Sequence, residues 1–481
     1  MATTPNSLDG PTVTDPRRWS ALGVLLLVQF MLILDVSAVN IALPVIQADL
    51  HFSRAGLTWV VDSYVLMAGS LLLLGGRLGD TLGRRRLFLV GVTVFGIASV
   101  ASGLAANPAT LVAARFGQGL GEALAAPAAF GLIALLFTDR RERTKAIGLF
   151  GGISGLAGSA GPILSGALVE YASWRWIFLL NIPIAIAAVT LVPRLVARDV
   201  PRPSTSSLDL PGAALITAAL TGVVYGLIRA ASHPWSSASV LAPLIGGVVL
   251  IGAFATYQAS ASNPLLPLHF LQERTRVSAN IVTVLFFSVF FTQFFISTLY
   301  LQGVLGFTAL QAGLAFLPFG MAIGASLGLA TSLIPKLGYR PVLLAGIALS
   351  TLGAELFTRI SSDGSYASQL LPASVLFALG SGLTLPTLGN AAVHNVTEDD
   401  AGLASGLQQA LQQIGGAIGL AVLITLALRS AADAVQGGTN PGSAITHGYV
   451  LALRVGAVVL AAAGVLAGVL LRKGSGVVAS R

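Results

Sequence analysis

The stretch GGRLGDTLGRRR, residues 75–86, decides the fold, because it places four arginines and one aspartate between two long apolar segments. Only 10% of the 481 residues are charged, so such a dense group of charges is expected to lie in water. Its glycines permit a sharp reversal of the chain. We therefore interpret residues 75–86 as a tight basic loop between two membrane-spanning helices.

The composition of the whole chain agrees with that interpretation. The chain is 55% hydrophobic with a mean hydropathy of +0.84, too apolar for the surface of a water-soluble protein of this size. The apolar runs are long and continuous, which favours helices over the alternating strands of a barrel. The first run is too long for a signal peptide. Fourteen segments are predicted, at 19–43, 57–76, 86–106, 109–137, 144–170, 174–196, 209–229, 237–258, 277–302, 309–334, 340–358, 369–393, 401–428 and 446–471.

The distribution of basic residues predicts the orientation in the membrane. If both termini are cytoplasmic, 20 of the 27 Lys and Arg residues lie on the inner side, five lie on the outer side and two lie within helices. This bias satisfies the positive-inside rule. We expect a multi-pass protein of the cell membrane with cytoplasmic N- and C-termini, in contact with the lipid bilayer and not with nucleic acid.

An internal repeat predicts two halves. The GRRRL sequence at 83–87 returns in degraded form at 338–342, and three glycines of the fifth segment return in the thirteenth at nearly the same offset. Parallel repeats of this kind are a known transporter plan. The predicted organisation is a tail at 1–18, a six-helix bundle at 19–196, a two-helix linker at 197–263, a second six-helix bundle at 264–471 and a tail at 472–481.

Several function classes lack their usual residues. There is no cysteine, so thiolate metal sites and cysteine nucleophiles are excluded. The five histidines are scattered without metal-type spacing, and no GxxxxGK[ST] phosphate loop is present. An enzyme, a metal site and an ATP-driven pump are therefore disfavoured. We expect no cofactor, and protons as the coupling ion.

Three motifs of the first half carry a family resemblance. The loop G-R-L-G-D-x-x-G-R-R-R resembles the signature loop of the major facilitator superfamily. The fourth segment carries an R-x-x-Q-G motif, and the fifth carries a glycine-proline motif that resembles one found in antiporters. Their residues are Gly76, Arg77, Gly79, Asp80, Gly83, Arg84 and Arg85; Arg115 and Gln118; and Gly148, Gly152, Gly158, Gly161, Pro162 and Gly166.

Together with Asp35, Asn40 and Pro44 in the first segment, these motifs are similar to those of the fourteen-helix drug:proton antiporters. The resemblance covers essentially the whole chain. It departs at Ala157 and Ser165, where the family usually has glycine. It implies an all-α polytopic fold of two six-helix bundles plus two linking transmembrane helices. It also implies that Asp80, with Arg77, latches the inner face against a helix end of the other half.

Ionisable side chains at predicted membrane depth are the candidates for proton coupling, namely Asp35, Asp62, Arg115 and Glu122. A charge at that depth costs roughly 2.5–3.5 kcal/mol, so it usually faces a cavity or a partner. Desolvation raises the pKa of a carboxylic acid and a nearby arginine lowers it, so such an acid can exchange protons near neutral pH. We expect small neighbours to expose Glu122 to a cavity. A static structural pair remains the alternative for Asp35 and Arg115.

The second half offers amides and phenyl rings in place of charges. Gln409 and Gln413 are one turn apart on the thirteenth segment, where they either join helices or contact a ligand. Six phenylalanines between Phe286 and Phe295 form an aromatic patch on the ninth segment. Packing or contact with lipid is the alternative to lining an apolar pocket.

These patterns predict proton-driven export of a small amphipathic organic compound, such as a drug or antibiotic, by alternating access. Two acids at depth make a cationic cargo plausible, and we expect a functional monomer. A carrier of the same fold for a metabolite, siderophore or other solute, in export or uptake, is the alternative.

Overall fold

The computed structural model describes residues 17–197, 209–266, 272–392, 396 and 401–471. Those residues form helices joined by short connections, and fourteen spans are long and apolar enough to cross a membrane. The fourteen predicted spans and the all-α class are thus confirmed. The α-helices are α1 Arg18–Leu50, α2 Trp59–Leu82, α3 Arg84–Gly103, α4 Pro108–Leu136, α5 Arg140–Tyr171, α6 Arg175–Leu179, α7 Asn181–Leu195, α8 Leu210–Ala230, α9 Ala238–Ser260, α10 Arg274–Gly303, α11 Ala309–Ala315, α12 Leu317–Leu337, α13 Tyr339–Phe357, α14 Leu371–Ala392, α15 Ala401–Gln436 and α16 Pro441–Leu470.

Two of the spans are built from two helices each. Helices α6 and α7 meet at Leu180, and α11 and α12 meet at Phe316. At Phe316 the backbone N–H donates to the Gly313 carbonyl at 3.2 Å, three residues earlier, which is the tighter 3₁₀ pattern. A π-helical turn at Tyr366–Leu370 leads into α14. The near face is the side where α1 begins and α2 ends, and the far face is the side where α1 ends and α2 begins.

The fold has two six-helix bundles and a linking pair of helices. Helices α1 to α7 form the first bundle and α10 to α16 the second, while α8 and α9 pack on each other between them in the chain. Across the two bundles, α2 packs on α15, α5 packs on α11, and α1 contacts α10. Small residues permit these close crossings: Gly69 of α2 lies against Gln413, and Gly166 of α5 lies against Ala309.

The basic stretch at 75–86 is not a loop, which corrects the sequence interpretation. Helix α2 runs through to Leu82, so that Gly76, Arg77, Gly79 and Asp80 are helical. The reversal takes a single residue, Gly83, whose φ of 93° suits glycine. A dense group of charges at the membrane surface does not break a helix, because the side chains reach water while the backbone stays bonded.

The same turn occurs in the second bundle. Helix α12 ends at Leu337, Gly338 has a φ of 80°, and α13 begins at Tyr339. The two turns coincide with the degraded sequence repeat at residues 83–87 and 338–342. The two bundles therefore share this backbone device as well as their helix number.

The two bundles are in contact at the far face, and the described contact between α5 and α12 lies toward the middle of the helices. At the far face, Gln302 Nε2 donates to the Ile41 carbonyl at 2.8 Å, and the Leu310 N–H donates to Glu170 Oε2 at 3.1 Å. Nearer the middle, Ser159 of α5 still touches Gly320 of α12.

Beyond that contact, glycines of both helices have open space around them. Gly324 and Gly328 continue the same face of α12 toward the near face, one and two turns past Gly320. A methyl group there, or at Gly152 or Gly148 of α5, would meet no described atom within 4 Å. We call this space between α5 residues 148–158 and α12 residues 324–328 the near-face crevice.

Candidate functional site

A buried ion pair lies at the centre of the first bundle. Arg115 of α4 is 1% exposed and Asp35 of α1 is fully buried, and the Arg115 Nη1 donates to Asp35 Oδ2. The Arg115 Nε donates to the Val60 carbonyl of α2 at 2.9 Å. One guanidinium therefore joins three helices, which the planar fork of arginine makes possible.

Amide and hydroxyl groups complete the network around Asp35. Gln118 Nε2 donates to Asp35 Oδ1 and to Ser99 Oγ, both at 2.9 Å, and its Oε1 accepts from Arg115 at 2.9 Å and from Ser102 at 3.2 Å. Asn181 Nδ2 also donates to Asp35 Oδ1, at 2.9 Å. Both oxygens of Asp35 are thus satisfied, as a buried carboxylate requires.

Three members of this network were missed by the sequence prediction, namely Asn181, Ser99 and Ser102. Asn181 begins α7 at the break in the sixth span, and Ser99 and Ser102 lie on α3. The asparagine was the available signal, because an amide inside an otherwise apolar span needs a buried partner. Serines of a membrane helix can bond to their own backbone and give no comparable signal.

Aromatic rings seal the ion pair. The Arg115 guanidinium carbon lies 4.3 Å from the centroid of the Tyr64 ring and 5.9 Å from that of Phe178. Both rings are fully buried. Their faces attract the cation and exclude water, which strengthens the attraction between Arg115 and Asp35.

Glu122 lies two turns from Arg115 on α4, beside Tyr64 and within electrostatic reach of Asp35 and Arg115. It is only 7% exposed, so the prediction that small neighbours expose it to a cavity is wrong. Gly119 and Gly121 instead allow α4 to pack closely on α2 and α3. Glu122 Oε2 has no hydrogen bond to any residue that the structure describes.

Asp62 is a second buried acid, separate from the network. It lies in the first turn of α2, fully buried, and neither carboxyl oxygen has a hydrogen bond within the described part of the chain. The nearby Thr58 hydroxyl donates to the Ala55 carbonyl at 2.8 Å. Among its buried acids, the described part of the first bundle thus holds one satisfied acid and two acids with unpaired oxygens.

Three arginines of residues 75–86 bond to backbone carbonyls. Arg84 donates to Gly131 and Arg85 to Pro193, each at 3.0 Å. Arg77 Nη1 donates to the Asn263 carbonyl at 3.0 Å, in the segment that follows α9. The expectation that Asp80, with Arg77, latches the inner face against a helix end of the other half stays a prediction. The Asp80 side chain lies outside the described residues.

The glycine-proline motif packs α5 against two helices at once. Gly161 lies on Ser37 of α1, whereas Pro162 and Gly166 lie on the start of α11. Ser165, a departure from the family pattern, donates from Oγ to the Ala38 carbonyl at 2.6 Å, a bond that glycine cannot make. Gly148 and Gly152 lie along the near-face crevice, and Gly158 also has open space around it.

The two glutamines predicted on one face of α15 differ in their surroundings. Gln413 packs on Gly69 of α2, at the contact between the two bundles. Gln409, one turn nearer the near face, is exposed. Gln413 therefore joins helices, and Gln409 is accessible.

The aromatic patch of α10 extends over three further helices. Phe286 and Phe290 stack on Phe377 of α14, and the Phe294 ring centroid lies 4.3 Å from that of Phe316. Phe290 and Phe294 stay partly exposed, whereas Phe286 and Phe295 are fully buried. The cluster is mainly packing, with an accessible edge of phenyl rings.

Comparison with known proteins identifies the family. Residues 25–420 match the family model described as Major Facilitator Superfamily. The puromycin resistance protein of Streptomyces alboniger is 39% identical over 95% of this chain and 92% of its own length. The lincomycin resistance protein of Streptomyces lincolnensis is 38% identical over 85% of this chain and 84% of its own.

A solved structure with the same fold is the inward-facing, unoccupied form of a bacterial homologue of the human lysosomal transporter Spinster. It has a TM-score of 0.69 at 16% identity and covers 95% of this chain and 98% of its own. That likeness shows the fold alone. The sequence matches, the fourteen spans and the two-bundle architecture together show that this chain is a membrane transporter of the Major Facilitator Superfamily.

Proposed function

We propose that this transporter is a proton-coupled antiporter that exports amphipathic organic compounds, antibiotics among them, by alternating access. The near face, which carries most of the basic residues, is assigned to the cytoplasm. The near-face crevice then receives substrate from the cytoplasm or the inner leaflet. Relatives include proteins named for puromycin resistance, lincomycin resistance and cephamycin export, which supports an antibiotic as cargo.

The unpaired Oε2 of Glu122, close to a satisfied Asp35–Arg115 pair, is the observation that carries the proposal. Arg115 balances the charge of Asp35, and Glu122 has no cation of its own among its described neighbours. An uncompensated charge in this buried place is costly. Glu122 is therefore stable in this place either as the neutral, protonated acid or as a carboxylate with a cationic substrate beside it.

That competition is sufficient for exchange. In the proposed cycle a cationic substrate enters through the near-face crevice, and a rearrangement of the helices that bury Glu122 lets the substrate balance the ionised acid. After the bundles have rocked, a proton from the far side replaces the substrate on the same charge. The proton and the cationic substrate both neutralise the same carboxylate. Binding of one therefore disfavours binding of the other, which is the thermodynamic requirement for antiport.

Vesicles that hold purified protein and a trapped pH-sensitive dye test the proposal. Puromycin and ethidium are added under an imposed pH gradient, and we expect each active substrate to move protons in the opposite direction. Glu122→Gln should abolish this proton movement while puromycin still equilibrates down its own gradient. Glu355→Gln, which changes an exposed acid of α13, should behave as the unaltered protein does.

The outcomes separate the parts of the proposal. If puromycin moves without any proton flux in the unaltered protein, antiport is wrong. If neither compound moves, the substrate class is wrong. If Glu122→Gln still exchanges protons, the coupling acid is elsewhere, and Asp62→Asn then shows whether the other unpaired acid performs that role.

A further inference from the structure

The proposed coupling residues do not include any residue of the α8–α9 hairpin, yet α8 contacts both bundles. It packs on α2 of the first bundle and on α15 of the second. Tyr225 of α8 also lies beside Trp59 at the start of α2, with ring centroids 6.3 Å apart. A helix of 21 residues that touches both moving bodies must be carried along, bent or released when they rock.

The near-face end of the hairpin is fastened to the first bundle. Asp209, just before α8, accepts from the Gly212 N–H at 2.8 Å, from Gln258 Nε2 at 2.5 Å and from the Leu265 N–H at 2.9 Å. These bonds fold the segment after α9 onto the start of α8. Leu265 then packs with Leu74 of α2.

A second contact fastens the same segment to α2, since Arg77 donates to the Asn263 carbonyl at 3.0 Å. Arg77 belongs to the basic stretch from which the sequence predicted a latch. In this conformation its described hydrogen bond is to the hairpin. The near-face attachment therefore combines an apolar contact and a charged hydrogen bond, both to α2.

The far-face end of the hairpin is fastened to the second bundle. Arg429 of α15 donates to the carbonyls of Ala230 and His233, at the end of α8, and lies 5.0 Å from the Trp235 ring centroid. Thr425 Oγ1 donates to the Leu227 carbonyl at 2.8 Å. A cation that bonds the last carbonyls of a helix is favoured by both hydrogen bonding and the helix dipole.

We propose that α8 is a diagonal strut, held to α2 at the near face and to α15 at the far face, that keeps the far face closed while the near-face crevice is open. The strut spans about 30 Å as one rigid helix. Opening of the far face moves the outer end of α15 away from α2. Because α8 is fastened to α2 at its other end and touches Trp59, this motion must break the Arg429 bonds.

The expected consequence is a conformational bias. Removal of the two charged hydrogen bonds of Arg429 should raise the population open to the far face by about tenfold. The bias does not depend on protons or on a substrate, because none of its contacts involves Glu122 or Asp35. A failure of the proton-coupling proposal would therefore leave it intact, and the reverse also holds.

Spin-label distances measure this bias directly, and the absence of native cysteine allows labels to be placed without background. Leu104→Cys and Asp363→Cys, at exposed far-face positions of the two bundles, report far-face opening. Ile147→Cys and Thr331→Cys report the near-face crevice. The labelled protein is studied in lipid nanodiscs at fixed pH, without substrate.

Arg429→Met is the test variant, and Arg359→Met, which changes an exposed far-face arginine, is its matched control. The strut predicts longer far-face and shorter near-face distances in Arg429→Met alone. Unchanged distances, or equal changes in both variants, would overturn it. If Arg429→Met does not fold, Thr425→Val removes the Leu227 bond, and it must give a smaller change in the same direction for the proposal to survive.

Discussion

The two bundles have the same helix number and the same one-residue turns at Gly83 and Gly338, yet they differ in where they place charge. The first buries Asp35, Asp62, Arg115 and Glu122. Among the described residues of the second, no aspartate or glutamate is buried; its core contains amides, hydroxyls and phenyl rings. Arg276 of α10 is the buried charged residue described in the second bundle. A common backbone can thus confine buried acids to one half and give the other a core rich in amides, hydroxyls and aromatic rings.

Substitution of Arg115, the buried arginine of the first bundle, tests this difference most severely. Arg115→Met leaves Asp35 buried without its cation, and we expect a loss of about 3–5 kcal/mol of stability. Thermal unfolding in detergent measures it. Arg454→Met, which alters an exposed arginine inside α16 of the second bundle, should cost little. The double variant Asp35→Asn with Arg115→Met should recover part of the lost stability, because the buried carboxylate is removed as well. If Arg115→Met alone is as stable as the unaltered protein, the ion pair does not contribute to stability.

The two turns test what the bundles share. Gly83→Ala and Gly338→Ala each force a side chain into a positive φ, so each should cost about 1–3 kcal/mol. We expect the two losses of stability to agree closely in chemical unfolding. Gly76→Ala, at a helical position with open space around it, is the control and should be neutral or stabilising. Clearly unequal losses would show that the turns are not equivalent.

The far-face contact between the bundles tests charge at their boundary. Glu170→Gln keeps an acceptor for the Leu310 N–H but loses the attraction of the carboxylate to the first turn of α11. We expect a shift of about 0.3–1 kcal/mol toward the far-face-open state. The distance between spin labels at positions 104 and 363 measures this shift, and Glu355→Gln is the control. An identical distance distribution would reduce Glu170 to a neutral contact.

The smallest effect on stability is expected for Asp209, in the linker between the bundles. Burial opposes ionisation of Asp209, but bonds from Gln258, Gly212 and Leu265 together hold its pKa below the usual value. A lowered pKa stabilises the folded state above about pH 4, the unfolded value, and that stability is lost as the pH falls further. Melting temperatures from pH 5 to pH 3 should fall less steeply for Asp209→Asn, and parallel curves would contradict this.

Much of the architecture was available from the sequence. Apolar length predicted the fourteen spans because a backbone in lipid must bond to itself, and this leaves one helix for each run. The breaks at Leu180 and Phe316 gave no such signal, because hydropathy does not register a local change of hydrogen-bond pattern. The predicted loop at the end of α2 is wrong because a high density of charge does not by itself indicate an irregular backbone.

The site was predictable in its acids and its arginine, but not in its geometry. An ionisable residue in an apolar run is visible in one sequence, so Asp35, Arg115 and Glu122 were candidates from the start. Which acid Arg115 would pair with depends on how α1 and α4 are rotated about their axes, which the sequence does not report. The tight environment of Glu122 likewise depends on neighbouring helices that approach through Gly119 and Gly121.

The hairpin of α8 and α9 has a consequence for the ancestry of the chain. Two helices return the polypeptide to the membrane face that it left, so their insertion does not invert the second half. A single inserted helix would have turned the second bundle upside down relative to the first. Two-helix additions at this junction are therefore a route by which a twelve-helix ancestor could lengthen without loss of topology, and excision of the pair should yield a twelve-helix protein with unchanged polarity.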